Sequence, residues 1–235
     1  FVGSSDVYKR QLSIHRERCT DCGKCTERCT SGALAWIGKE VDSSDIIHEI
    51  LQDLIYYQKS GGGITLSGGE PLQQKDFALD ILQKCREHRI HTAVETNLLT
   101  DINTLEAFLP WVDLWMCDFK MADDTLHRKW TGHSNVPIIK NLEFLAKQAV
   151  PMTIRTPIIP NVNDSEEAIE SICRFIRQLP NQPAYELLGF HSLGFVKFEN
   201  LGMKNPLSNS AFLKKGQLQK LNEILIRYNL NNNKK

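Results

Sequence analysis

Four cysteines close together, Cys19, Cys22, Cys25 and Cys29, are the densest potential chemistry in this chain. Their spacing is C-x2-C-x2-C-x3-C. Thiolates this close wrap a [4Fe–4S] cube: three of them reach three corners, and the fourth of such a run ligates a second cluster. Cys19, Cys22 and Cys25 therefore call for one more ligand, and Cys29 for a second cluster. The other cysteines, Cys85, Cys117 and Cys173, stand singly within apolar patterns and read as core residues. The missing ligands are expected upstream of the first residue given. A structural zinc site would show two separated C-x2-C pairs. A disulfide framework belongs to short secreted chains, and no signal peptide is evident.

A second group of polar residues lies where apolar strands end. Ser67-Gly68-Gly69-Glu70 follows Gly63–Leu66, Glu95-Thr96-Asn97 closes His91–Thr96, and Asp118-Phe119-Lys120 closes Val112–Asp118. Arg155 lies within a strand in Pro151–Ile159, and His191 follows the strand Tyr185–Phe190. In parallel α/β sheets, ligands bind at the carboxyl ends of the strands. Gly68 and Gly69 let backbone approach a ligand closely. Glu70 offers acceptors to a ligand ammonium. Glu95 and Asp118, on neighbouring strands, repel unless a cation relieves them. Lys120 or a bound metal ion would do that while holding a ligand carboxylate, which suits an amino-acid-like ligand. Blander readings stand beside these. Asp118–Lys120 is also what a surface ion pair looks like, Gly68-Gly69 a turn, His191 a structural histidine, and Arg155 the partner of a buried acid.

The elements that must position these residues alternate. Asp42-Ser43-Ser44 supplies N-caps for a helix whose apolar face is Ile46, Ile47, Ile50, Leu51, Leu54 and Ile55. Helices are then predicted over Phe77–His88, Asn103–Phe108, Asp123–Lys129, Ile138–Ala149, Ser165–Leu179 and Gln217–Tyr228, between the strands named above. A further short strand is predicted over Ala33–Ile37. Trp111, Trp115 and Trp130 read as packing residues. Strand–helix alternation with short buried strands predicts a parallel sheet of βαβ units.

The bulk composition narrows the function classes. The chain has 235 residues, 41% of them hydrophobic, enough for one good-sized core and a small appendage. Its 28 basic and 28 acidic side chains balance, so nothing points to nucleic acid or an anionic membrane surface. No apolar run approaches the roughly 20 residues of a membrane span. Free cysteines fit a reducing cytoplasm, and an oxygen-sensitive cluster fits an anaerobic setting. Residues 1–11 show no initiator Met and no hydrophobic period, and are read as a non-native or disordered segment.

Together these landmarks resemble the radical S-adenosylmethionine enzymes, and within them the glycyl-radical-enzyme activating enzymes around the pyruvate formate-lyase activating enzyme. The resemblance rests on Ser60-Gly61-Gly62-Gly63-Ile64-Thr65-Leu66-Ser67-Gly68-Gly69-Glu70-Pro71, His91–Asn97 and Asp118-Phe119-Lys120. It continues through His127 with Thr131-Gly132, Arg155–Pro160, and His191-Ser192-Leu193-Gly194 with Lys197. The cysteine run resembles the second half of the ferredoxin-like insert in larger members, with Thr30 where proline is usual. Leu98 stands where the family has glycine or another small residue, and Gly189-Phe190 where it has Pro-Tyr.

The resemblance implies an α/β fold: a partial (β/α)6 radical SAM barrel lacking its first strand, with a small ferredoxin-like iron–sulfur insert at the N-terminus. The expected division is an insert over residues 12–40, a barrel over 41–229 and a disordered tail over 230–235. It implies S-adenosylmethionine held by Ser67, Gly68, Gly69, Glu70, Asn97, Asp118, Phe119, Lys120, Arg155 and His191. It implies a 4Fe–4S cluster on Cys19, Cys22, Cys25 and Cys29, and a monovalent cation beside Glu95, Thr96, Met116 and Asp118. The family's catalytic cluster sits on a C-x3-C-x2-C triad that this sequence does not contain. No catalytic residue is therefore assigned here, and the fragment alone is expected to be inactive.

The implied function of the intact protein is reductive cleavage of S-adenosylmethionine to place a radical on a glycine of a partner glycyl radical enzyme. Flavodoxin or ferredoxin is the implied electron donor, with neither nucleic acid nor membrane as partner. The alternatives are a radical enzyme acting on a small molecule or a protein side chain, and a ferredoxin-like electron-transfer protein.

Overall fold

The computed structural model describes residues 14–36, 38–208 and 212–230. It divides into two compact units. One ends at Val41 and takes in the segment beginning at His191, and the other runs from Asp42 to Phe190 and takes in the closing helix.

In the first unit the described elements are short: a 3-10 turn at Arg16–Arg18, α1 (Lys24–Glu27) and, from the later segment, α9 (Phe195–Asn200). The Arg16 guanidinium donates to the Asn200 carbonyl at 3.0 Å. Gly23, at φ 71°, starts α1 in the left-handed region, where a side chain would strike the Trp36 indole. Among the described residues from 14 to 40, Gly23 alone is buried, so this stretch has no apolar core of its own. The strand expected over Ala33–Ile37 does not form at residues 33–36, and Ile37 lies outside the described residues. An isolated strand has no ladder to satisfy its backbone groups.

The second unit holds a five-stranded, all-parallel sheet in the order β1-β2-β3-β4-β5. The strands are β1 (Gly63–Leu66), β2 (His91–Thr96), β3 (Leu114–Asp118), β4 (Met152–Ile158) and β5 (Ala184–Gly189). They alternate with α2 (Ser43–Gln52), α3 (Leu54–Ser60), α4 (Lys75–Glu87), α5 (Ile102–Phe108), α6 (Asp124–Thr131), α7 (Val136–Lys147), α8 (Glu166–Gln178) and α10 (Gln217–Arg227). This is the α/β sheet of a partial barrel.

Local chemistry sets the element ends. Asp101, Asp123 and Ser165 accept from backbone N–H groups at the starts of α5, α6 and α8, which supplies partners those groups otherwise lack. A side chain at Gly63 would collide with the His91 carbonyl, so β1 and β2 can close only over glycine. The helix expected from Asp42 is interrupted at Asp53, which turns Ile55 out to 62% exposure.

The two faces of the sheet differ. Val94, Trp115, Cys117, Ile154, Ile158 and Tyr185 point to the helix side and join the core with Leu105, Leu142, Leu145, Ile169, Ile172 and Leu225. Cys85, Cys117 and Cys173 are buried, as the apolar patterns required. Burial pushes the thiols of Cys85 and Cys173 up to about 11 and about 12, and raises that of Cys117 well above the ordinary value. They remain protonated packing groups. Trp115 is fully buried, but Trp130 is 38% exposed with Lys129 over its ring, so it packs less than its type suggested. Leu230, placed in the expected tail, is buried in the core and donates its N–H to Leu225; residues 231–235 lie outside the described residues.

Candidate functional site

The opposite face of the sheet carries charge. The register pairs Glu95 with Met116, Asp118 with Arg155, and Arg155 with Glu186, so these side chains share one face with period two along each strand. Where β1, β2 and β3 end, Ser67, Gly68, Gly69, Glu70, Glu95, Thr96, Asn97, Asp118 and Lys120 line a cavity of about 190 Å³. The structure thus brings together most of the residues singled out at three of the strand ends.

The cavity wall is held by its own hydrogen bonds. The Glu70 carboxylate accepts from Leu72 N–H at 3.3 Å, Thr96 Oγ1 at 2.7 Å and Asn97 N–H at 2.8 Å. It is committed to fastening the glycine turn to the end of β2, which leaves it less free for a ligand ammonium than its type suggested. Ser67 Oγ donates to Glu95 Oε2 at 2.8 Å. The two acids are relieved separately: Arg155 Nη1 donates to Glu95 Oε1 at 2.8 Å, and Lys120 Nζ lies 2.7 Å from Asp118 Oδ2. Gly68 has φ 119°, a conformation that favours glycine, and a Cβ at Gly68 or Gly69 would meet no atom within 4 Å. Backbone is therefore open to a ligand along this turn.

Some candidates fall elsewhere. Phe119 is fully buried, its ring 5.1 Å from that of Phe175. Alternation explains this: Asp118 and Lys120 turn to the cavity, and the residue between them turns to the core. Arg155 is engaged on the open face, with Nε 3.4 Å from Glu186 Oε2 and Nη1 against Met116 Sδ at 3.8 Å. The same Nη1 thus contacts both Glu95 and Met116. Thr96 Oγ1 is bonded within the protein to Glu70 and Leu98. His191 is exposed and belongs to the other unit.

Residues the motifs did not flag sit behind the cavity. Thr156 Oγ1 donates to the Phe119 carbonyl at 2.6 Å and accepts from the Tyr185 hydroxyl at 3.0 Å. The buried Asn163 donates from Nδ2 to the carbonyls of Lys120 and Pro157, each at 2.9 Å. The asparagine-bearing turn Pro160-Asn161-Val162-Asn163-Asp164, which follows β4, is the available signal.

In the first unit, Cys19, Cys22, Cys25 and Cys29 all line one cavity of about 690 Å³, together with Trp36, Arg18, Lys24 and Arg28 among others. Hydrogen bonds hold two of these thiols below the usual thiol range: chiefly the Lys24 N–H for Cys22, and the Ser31 hydroxyl with the Leu34 N–H for Cys29. Among the described residues no three His, Cys, Asp or Glu side chains converge as they would on a single ion.

Residues 21–175 match the radical SAM superfamily. The chain belongs to the radical SAM superfamily. Within it, the relatives it matches are activating enzymes of glycyl radical enzymes. It is 41% identical to the isethionate sulfite-lyase activating enzyme of Oleidesulfovibrio alaskensis, over 83% of this chain and 64% of that one. It is 34% identical to the indoleacetate decarboxylase activating enzyme of Tractidigestivibacter scatoligenes, over 95% of this chain and 72% of that one. A domain of the pyruvate-formate lyase-activating enzyme from Bacteroides vulgatus superimposes with a TM-score of 0.61 at 31% identity, covering 72% of this chain and 96% of that one. The chain thus spans a little under two thirds of the first relative's length. The family uses S-adenosylmethionine and a 4Fe–4S cluster.

Proposed function

We propose that the protein to which this chain belongs activates a glycyl radical enzyme by reductive cleavage of S-adenosylmethionine. The observation that carries this reading is the convergence of Ser67–Glu70, Glu95–Asn97, Asp118 and Lys120 on one cavity. At about 190 Å³ it is smaller than the roughly 300–1,000 Å³ of pockets that engulf drug-sized ligands, so it takes one end of a ligand. Lys120 offers the positive charge that suits a carboxylate, and the open backbone at Gly68-Gly69 allows close approach. An α-amino acid end, such as that of S-adenosylmethionine, meets those features.

A catalytic 4Fe–4S cluster, for which this chain carries no C-x3-C-x2-C ligands, would supply the single electron for reductive cleavage of S-adenosylmethionine and so for hydrogen-atom removal from a glycine of the partner. This chain's residues bind and orient: Lys120 and Asp118 fix the polar end of the ligand, and Glu70 holds the glycine turn in place. Cys19, Cys22, Cys25 and Cys29 would hold an accessory cluster that passes electrons from a flavodoxin- or ferredoxin-like donor. All seven cysteines are free, which suits a reducing cytoplasm. Among the described residues no helix is long and apolar enough to cross a membrane.

The test is anaerobic reconstitution of the protein from its full coding sequence with iron and sulfide, followed by a strong reductant and S-adenosylmethionine. Production of 5′-deoxyadenosine, and a glycyl radical signal when the partner is added, are expected. Absence of 5′-deoxyadenosine from a cluster-loaded sample sinks the reading. A ferredoxin-like carrier would instead bind clusters and leave S-adenosylmethionine unbound.

A further inference from the structure

We propose that Asn163 is a positioning residue for the cavity's cation: its carboxamide sets where Lys120 presents its charge to a ligand carboxylate. This rests on the reading of the cavity as the site for the amino-acid end of S-adenosylmethionine.

The segment after β3 is held by buried side chains from other elements, each on different carbonyls; Asn135 Nδ2 takes those of Met121 at 3.0 Å and Ala122 at 2.9 Å, beyond Lys120. The regular ladder ends with Phe119 N–H donating to the Arg155 carbonyl at 2.9 Å. Beyond it the chain turns into the cavity wall, and Lys120 Nζ reaches back to Asp118 Oδ2. The two carbonyls nearest the cavity, of Phe119 and Lys120, are taken by other side chains. Thr156 Oγ1, itself accepting from the Tyr185 hydroxyl, donates to Phe119 O. Asn163 Nδ2 donates to Lys120 O and also to Pro157 O, so it ties the turn after β3 to the end of β4.

The Asn163 side chain has no slack. Its Oδ1 accepts from the Ile159 N–H at 2.8 Å and its amide protons serve the two carbonyls, so one small group satisfies three backbone groups. Asn163 is 3% exposed, and unmade bonds there would leave buried polar atoms unpaired. Alanine frees the Lys120 carbonyl, and aspartate places an acceptor against two acceptors. In both cases the Lys120 backbone shifts relative to Asp118, and the ammonium no longer meets the carboxylate in one fixed place. Asn163 does not line the cavity and needs no contact with the ligand to act.

The experiment uses the protein from its full coding sequence, cluster-loaded. Binding of S-adenosylmethionine and of its decarboxylated analogue is measured by calorimetry for wild type, N163A, N163D, K120A and N163A/K120A, with thermal midpoints recorded for each. N163D retains an acceptor for the Ile159 N–H and serves if N163A folds poorly. Either Asn163 variant should lose about tenfold in affinity for S-adenosylmethionine, the size expected for a misplaced charged hydrogen bond, and much less for the analogue without a carboxylate. The double variant should bind no worse than K120A, because both changes remove one interaction. Equal losses for both ligands, or additive losses in the double variant, overturn the proposal. If wild type binds neither ligand, the reading of the cavity fails, and Lys120 is judged separately on ligand-free protein. Acylation of Lys120, read by mass spectrometry against the exposed Lys140, should speed up in both Asn163 variants. Unchanged labelling overturns the positioning role.

Discussion

Arg155 Nη1 lies 2.8 Å from Glu95 Oε1, although β3 separates their strands. The pair spans the open face of the sheet and neutralises an acid that borders the cavity. Its side chains are 19% and 34% exposed, so water screens the interaction only partly. Arg155→Ala is expected to destabilise the fold by about 1–3 kcal/mol, the range for hydrogen bonds to charged groups, by leaving Glu95 uncompensated. The double variant R155A/E95Q should recover part of that loss. Urea unfolding of the single and double variants measures it, and an additive double variant would show that the two side chains do not act as a pair.

Leu98 combines a left-handed backbone, φ 57°, with complete burial. Glycine there would relieve strain of about 1–2 kcal/mol. It would also empty a core position, where losing a leucine side chain costs about 2–5 kcal/mol. Burial wins, so Leu98→Gly is expected to lower the urea midpoint. A raised midpoint would mean that the backbone conformation, not packing, limits stability at this corner.

Asp124 predicts an acid dependence. Its carboxylate accepts from Ser134 Oγ, Arg128 Nε and Asn135 N–H, which hold its pKa at about 2 against an ordinary 3.8. A lowered folded pKa stabilises the fold above the unfolded value, and that contribution drains away as pH falls from near 3.8 toward about 2. Asp124→Asn should therefore be less stable than wild type at neutral pH and approach it below about pH 2. Thermal midpoints across that range would read the convergence, and a constant gap would contradict it.

The cysteine-bearing stretch has no buried apolar core among its described residues, so cluster binding should supply its folding free energy. Limited trypsin digestion should cut at Arg18, Lys24 and Arg28 in iron-free protein and spare them after loading. Digestion within β2–β4 should not change. Trp36, which lines the same cavity, should lose fluorescence on loading, a change absent from W36F.

The sheet was largely legible because its signals are local. Gly61-Gly62-Gly63 opens β1, apolar runs are bounded by turn residues, and predicted and observed spans agree for β1 and β2. The cavity was legible because polar residues at parallel strand ends converge by topology alone. The burial of Phe119 is not legible in a motif of three adjacent residues, which hides an alternation of faces. Nor does the type of Glu70 reveal that neighbouring N–H and hydroxyl groups bond its carboxylate. The roles of Asn163 and Thr156 are not legible from type or spacing, because each binds backbone carbonyls brought near only by the fold.

The seven cysteines fall into two chemical populations. Cys85, Cys117 and Cys173 are sealed in the core with raised pKa values, while hydrogen bonds lower those of Cys22 and Cys29 on an accessible cavity shared with Cys19 and Cys25. A reagent arriving at the folded chain finds accessible sulfur at one address, that cavity. Sulfur chemistry on the folded chain is therefore sorted by the fold itself, and reaching the other three thiols requires the core to open first.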